Sequence, residues 1–166
     1  MMMFKYNIAH MATTLIFLCS LNIQLQAQAK DVNKEKFYLA MASTDLELIE
    51  AELAKLERQG AAAEQAFVGA LVMKKAGALQ KVGDKLETFK KGKEILEKAI
   101  SAKPDNAEFR FLRLMIQENA PSILGYGSNI KEDAEMIDKK FNDLPPSVKD
   151  AIISYSKNSK VLSARL

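Results

Sequence analysis

The sequence has 166 residues, of which 48% are hydrophobic and 27% are charged, and its formal net charge at pH 7 is +3. This length is expected for one domain with a single hydrophobic core. Because the chain has only one cysteine, Cys19, and one histidine, His10, the sequence excludes a disulfide-rich fold and a zinc site built from Cys and His ligands.

The first 29 residues have the pattern of a secretory signal peptide. Lys5 is the only Lys or Arg before Lys30, and an apolar run follows it. Residues 27–29 (Ala-Gln-Ala) form the small-x-small motif of a signal-peptide cleavage site. A membrane anchor would need about 20 mostly apolar residues, whereas polar residues at 22–26 interrupt this run. We therefore expect cleavage before Lys30, export to the periplasm or extracellular space, and no stable membrane insertion afterwards.

Cys19 suggests a lipoprotein as an alternative, but the bulky Leu18 before it does not fit the small residue that a lipidation box requires. The expected mature domain, residues 30–166, then contains neither Cys nor His. Such a domain has no cysteine nucleophile, no histidine general base and no ordinary serine triad. We predict no catalytic site, no metal and no cofactor, and an enzyme would have to use carboxylates, Lys, Tyr or Ser.

Lysine and glutamate are interleaved along the chain, as in the segment from Glu87 to Lys98. A nucleic-acid-binding protein usually clusters its Lys and Arg residues on one face. The mixed charges are typical of solvated helix surfaces, so we expect no nucleic-acid partner.

Beyond Lys30 the apolar residues recur at the three- and four-residue spacing of helices. The first helix is predicted over residues 31–42. The second begins with a capping box formed by Thr44 and Glu47 and ends at Gly60. An alanine-rich third helix follows over residues 61–79.

The residues from Val82 to Asp84 are predicted to separate the third helix from a fourth at 85–103, with Asp84 and Glu87 as caps. After Pro104, a fifth helix is predicted over 106–118, with Asp105 as N-cap and Glu108 as its return partner. This helix is apolar around much of its circumference, which indicates a central position.

The stretch QENAPSILGYGSN, residues 117–129, is predicted to be a pinned corner between helices, with Ile123, Leu124 and Tyr126 as anchors. Asn129 and Glu132 are expected to cap a sixth helix that runs to Asn142, and a last helix begins near Ser147. The predicted fold class is all-α, with about seven helices joined by short turns that pack as antiparallel pairs.

Gly92, Leu96, Ala99 and Pro104 stand at the intervals found in the second helix of a tetratricopeptide repeat. The chain resembles a degenerate tetratricopeptide-like array over about half of the expected mature domain. The block from Arg110 to Asp133 also resembles exported bacterial proteins of this type. The resemblance implies stacked helix pairs that bind a protein or peptide, and it supplies no catalytic residue.

Arg110, Arg113 and Gln117 fall on one face of the fifth helix. An arginine stripe of this kind binds a carboxylate or phosphate ligand by paired hydrogen bonds. The alternative, which we favour, is an internal ion pair with an acidic residue of the next helix. The acidic residues available there are Glu132, Asp133 and Glu135.

Three functions remain open from these patterns. The favoured one is an exported module that binds an unknown protein or peptide, with Arg110, Arg113, Gln117 and Tyr126 as candidate binding residues. The second is a small-ligand binder whose pocket lies under residues 117–129. The third is an envelope hydrolase that uses Glu118 and Asp133 as a carboxylate pair.

Overall fold

The computed structural model describes residues 32–59 and 65–162, and within these ranges the chain is helical with no strand. The predicted all-α class with about seven helices is confirmed, whereas stacking in the manner of tetratricopeptide repeats remains a prediction. The predicted signal peptide, residues 1–29, lies outside the described residues. The α-helices are α1 Lys34–Ala42, α2 Leu46–Gln59, α3 Gln65–Ala78, α4 Val82–Ala102, α5 Ala107–Asn119, α6 Ile130–Lys140 and α7 Pro146–Ser156, and the short 3-10 helices are Ser122–Leu124 and Phe141–Asp143.

Two of the predicted helix caps are wrong by one residue. At the start of α2 the backbone N–H of Glu47 donates to Asp45 Oδ1 at 2.9 Å, so Asp45 takes the place expected for Thr44. At the start of α5 the N-cap is Asn106, whose side chain accepts from the N–H of Phe109 at 3.1 Å. In both cases the residue directly before the helix has a short polar side chain that reaches the first turn.

Glu108, predicted to return to the cap of α5, instead joins this helix to α1. Lys34 Nζ lies 2.8 Å from both carboxylate oxygens of Glu108, and the Tyr38 hydroxyl donates to Oε1 at 3.0 Å. Lys34 also lies 3.8 Å from the centre of the Phe67 ring. This partly buried cluster connects α1, α3 and the first turn of α5.

Helix α4 begins at Val82, three residues before the predicted start, so the expected break at residues 82–84 is wrong. Gly83 lies in the first turn of α4, away from the helix interior where the backbone entropy of glycine is most costly. Asp84 lies in the same turn, where the helix dipole favours a negative charge.

Helices α3 and α4 pack at very short distance through two glycines. A Cβ on Gly69 would lie 2.6 Å from Leu96 N, and a Cβ on Gly92 would lie 2.7 Å from Met73 N. Both contacts are with backbone, so neither position has room for a side chain. Of the four motif residues, Gly92, Leu96 and Ala99 are buried on α4, and Pro104 comes just after its C-terminal end.

Helix α5 is central, as its apolar circumference predicts, because every residue from Ala107 to Gln117 is buried. It packs against α3, α4 and α6, while α1 packs against α2, α3 and α7. This position places the polar residues of α5 inside the protein, where each needs a partner. In the described residues, no helix combines the length and apolar character needed to cross a membrane.

Candidate functional site

Arg113 is held by two carboxylates inside the protein. Its Nε and Nη2 atoms donate to Asp133 Oδ2 and Oδ1, both at 2.7 Å, and Nη1 donates to Glu97 Oε2 at 2.8 Å. Burial disfavours the charge of Arg113, but the hydrogen bonds and charges of Asp133 and Glu97 outweigh it and raise its pKa above the usual value. The guanidinium therefore stays charged and uses all three of these nitrogens within the fold.

Arg110 lies one turn earlier on α5 and contacts the same carboxylate. Its Nη1 donates to Asp133 Oδ1 and to Glu132 Oε1, each at 3.1 Å, and its Nε donates to the Pro104 carbonyl at 3.0 Å. Asp133 is fully buried in the first turn of α6. These contacts are those of the internal ion pair, with Asp133 at its centre, and they join α4, α5 and α6.

Tyr126 connects the corner at residues 120–128 to α4. Its hydroxyl donates to Glu97 Oε1 at 2.5 Å, and its ring meets the Phe89 ring edge to face at 5.7 Å between centroids. Burial raises the pKa of Tyr126 well above its ordinary value, and the hydrogen bond and charge of Glu97 raise it further. The phenol therefore keeps its proton and anchors the corner.

The rest of the corner is held less firmly than the sequence predicts. Leu124 is half-buried, but Ile123 is 92% exposed, so its predicted role as an anchor is wrong. The 3-10 helix at Ser122–Leu124 points Ile123 outward, and Gly125 then takes a left-handed conformation with φ of 58°. Asn129 stands at the N-cap of α6, but its side chain bonds Ser128 at 3.0 Å and reaches Glu132 at 3.5 Å.

Under this corner lies an open pocket of about 420 Å³, which we call the corner pocket. Its lining residues are Gln117, Ala120, Pro121, Ser122, Gly125, Tyr126, Gly127 and Ser128. Two of the four candidate binding residues, Gln117 and Tyr126, therefore line one pocket. Arg110 and Arg113 are not among its described lining residues.

Gln117 is the exception among the buried polar residues of α5. It is 4% exposed, and both Nε2 and Oε1 are buried without a hydrogen-bond partner among the described residues. Buried polar atoms in native proteins are nearly always paired, so an unpaired amide beside a pocket is informative.

Glu118 and Asp133 belong to separate networks. Glu118 Oε2 accepts from the Ser159 hydroxyl at 2.7 Å, and Oε1 accepts from the N–H of Lys160 at 2.9 Å. Asp133 binds the arginines, and neither carboxylate is among the described residues that line the corner pocket. Both carboxylates are therefore engaged in hydrogen bonds or ion pairs within the fold.

Sequence reasoning missed Glu97, which binds both Arg113 and Tyr126. Its neighbours on α4 include both Lys and Glu, so the local pattern is that of a solvated face. Asp133 is one of the three acidic residues predicted as partners of the arginines, and another of the three, Glu135, is exposed. In the described ranges, no group of three or more Asp, Glu, His or Cys side chains is arranged to hold a metal ion.

Comparison with models of protein families finds no match, and comparison with curated proteins and with solved structures finds no significant match either.

Proposed function

We propose that the protein is an exported helical module that binds a peptide segment of a partner protein at the corner pocket. The observation that carries this proposal is the unpaired amide of Gln117 on the wall of that pocket. A buried polar group without a hydrogen bond destabilises the folded protein by about 1–3 kcal/mol. A partner that bonds the amide would remove this penalty. The pocket volume of about 420 Å³ also falls in the range of known ligand sites.

The lining of the pocket favours binding over catalysis. Its described polar side chains are those of Gln117, Ser122, Tyr126 and Ser128, and they include no carboxylate, lysine or histidine. The Tyr126 proton is committed to Glu97, and its raised pKa makes the phenol a poor acid or base at neutral pH. Ile123, exposed at the tip of the same corner, offers an apolar contact to a partner.

The proposal is tested by obstructing the pocket and comparing the proteins that are retained. Ser128 lines the pocket and is exposed, whereas Ser154 is exposed on α7. The full chain, Ser128→Trp and the control Ser154→Trp would each be immobilised and incubated with envelope extract. We expect a specific protein to be retained by the full chain and by Ser154→Trp and to be lost with Ser128→Trp. Retention of the same proteins by both variants would contradict the proposal.

A further inference from the structure

The missing partners of Gln117 are a local feature. One turn earlier, Arg113 uses its donors on Asp133 and Glu97. Two residues later, Asn119 Nδ2 donates to the Met115 carbonyl at 2.8 Å. On both sides of Gln117 the polar side chains of α5 are paired, so the unpaired amide is not the result of loose packing along the helix.

The residues that line the corner pocket with Gln117 are mostly exposed. Of the described lining residues, Gln117 and Tyr126 are buried, and the others are half-buried or exposed. Apart from Tyr126, the lining residues that the corner contributes are Ala, Pro, Ser and Gly, and a Cβ added at Gly125 would meet nothing within 4 Å. Both amide atoms are buried, so a ligand that bonds them must displace part of this segment, which Tyr126 attaches to α4.

The described residues that line the corner pocket carry no charged side chain, which favours a neutral ligand. Arg113, the nearest cation along α5, has Nε, Nη1 and Nη2 bound to carboxylates, so these atoms are not available to a phosphate or carboxylate ligand. A glutamine amide presents a donor and an acceptor side by side. Its complement is a group with an acceptor and a donor on one edge.

An extended peptide has this edge. In a β-strand the N–H and C=O of one residue point to the same side, and in an antiparallel ladder both bond the same neighbour. We propose that the Gln117 amide binds the main chain of an extended peptide, with Nε2 donating to a peptide carbonyl and Oε1 accepting from the N–H of the same residue. This inference rests on the proposed function and adds the ligand chemistry.

The probe is N-acetyl-trialanine dimethylamide, which carries peptide N–H groups but no primary amide that could imitate them. Its control is the same chain with each alanine N–H replaced by an ester oxygen. The full chain, labelled with ¹⁵N, would be titrated with each compound and followed by NMR. We expect the Gln117 side-chain resonances to shift with the peptide and the affinity for the ester to be at least tenfold weaker.

Gln117→Met keeps the length of the side chain and removes both polar atoms. We expect this variant to lose at least tenfold in peptide affinity while its melting temperature stays equal or rises, because an unpaired buried amide is removed. A clear fall in melting temperature would show that Gln117 has a structural partner and would overturn the inference.

The outcomes separate this inference from the proposed function. If peptide and ester shift the Tyr126 and Ser128 resonances equally, the pocket binds its ligand without the amide and only the inference fails. If neither compound shifts any corner resonance, the inference fails again. The proposed function then still depends on whether Ser128→Trp loses a partner that Ser154→Trp retains.

Discussion

At the scale of single residues, Asp133 shows why the arginines of α5 face inward. Its side chain is fully buried, and a buried carboxylate is stable only with close cationic partners and hydrogen bonds. Arg113 supplies two bonds to it and Arg110 supplies a third. Removing one partner leaves a buried charge that is only partly compensated.

We therefore expect Arg113→Met to lower the free energy of unfolding by roughly 3–5 kcal/mol, since it breaks a buried pair and leaves Asp133 with Arg110 alone. Urea unfolding followed by circular dichroism measures the change. The matched control is Arg58→Met, because Arg58 is exposed, and its expected effect is below about 0.5 kcal/mol. A variant that unfolds at the same urea concentration as the parent would contradict the structural role of Arg113.

Tyr126 contributes a hydroxyl and a ring, and two substitutions separate them. Tyr126→Phe removes the bond to Glu97 and keeps the contact with Phe89, so we expect a loss of about 1.5–3 kcal/mol. Tyr126→Ala also removes the ring, and the expected loss rises to roughly 3–5 kcal/mol. Equal losses in thermal and urea unfolding for the two variants would mean that the ring does not anchor the corner.

At the scale of helices, the α3–α4 contact depends on two positions without side chains. In Gly69→Ala and Gly92→Ala the new methyl group would overlap backbone atoms, and such overpacking typically costs about 1–3 kcal/mol. Gly77 also lies in α3, but a Cβ there meets nothing within 4 Å.

Gly77→Ala should therefore stabilise the protein by about 0.5–1 kcal/mol through the better helix propensity of alanine. The measurement compares the melting temperatures of Gly69→Ala, Gly92→Ala and Gly77→Ala with that of the parent. If Gly69→Ala and Gly77→Ala shift the melting temperature in the same direction, the helices do not pack as closely as the structure shows.

At the scale of the whole molecule, one buried and two half-buried tyrosines make the free energy of unfolding depend on pH in the alkaline range. Burial raises the pKa of Tyr38, Tyr126 and Tyr155, and the charges of Glu108, Glu97 and Glu118 respectively add to the effect. The unfolded chain releases these protons near pH 10, while the folded protein keeps them. The contribution of these tyrosines to the free energy of unfolding is therefore complete below about pH 10, and it is lost as the pH rises further.

We expect the free energy of unfolding to fall above pH 10, by up to about 1.4 kcal/mol per pH unit for each such tyrosine. Urea unfolding between pH 8 and pH 11.5 measures the slope. In Tyr126→Phe one proton fewer is released on unfolding, so the free energy of unfolding should fall less steeply with pH than in the parent. The lysines that titrate in this range affect parent and variant alike. Identical slopes would show that Tyr126 titrates normally in the folded protein.

The helices could be predicted from the sequence because each has a regular apolar face or a clear break. The Arg110 and Arg113 spacing also indicated an internal pair with an acid of α6. Glu97 could not be predicted, since a charge on α4 has the same local pattern whether it faces solvent or α5. That the Gln117 amide has no hydrogen-bond partner among the described residues could not be predicted either, because this depends on which atoms of the corner come near it in space.

The Gly69–Gly92 contact also bears on the order in which the chain folds. Helices α3 and α4 are consecutive in the described chain and form its most extensive helix pair, so their association closes only a short loop. Helices α1 and α7 also pack together, but most of the domain's sequence lies between them, so their association closes a long loop. We expect Gly69→Ala to slow refolding, and Ile152→Val, in the buried face of α7, mainly to speed unfolding. Stopped-flow refolding and unfolding rates distinguish the two. A helix pair without room for a methyl group would then be the first part of the molecule to assemble.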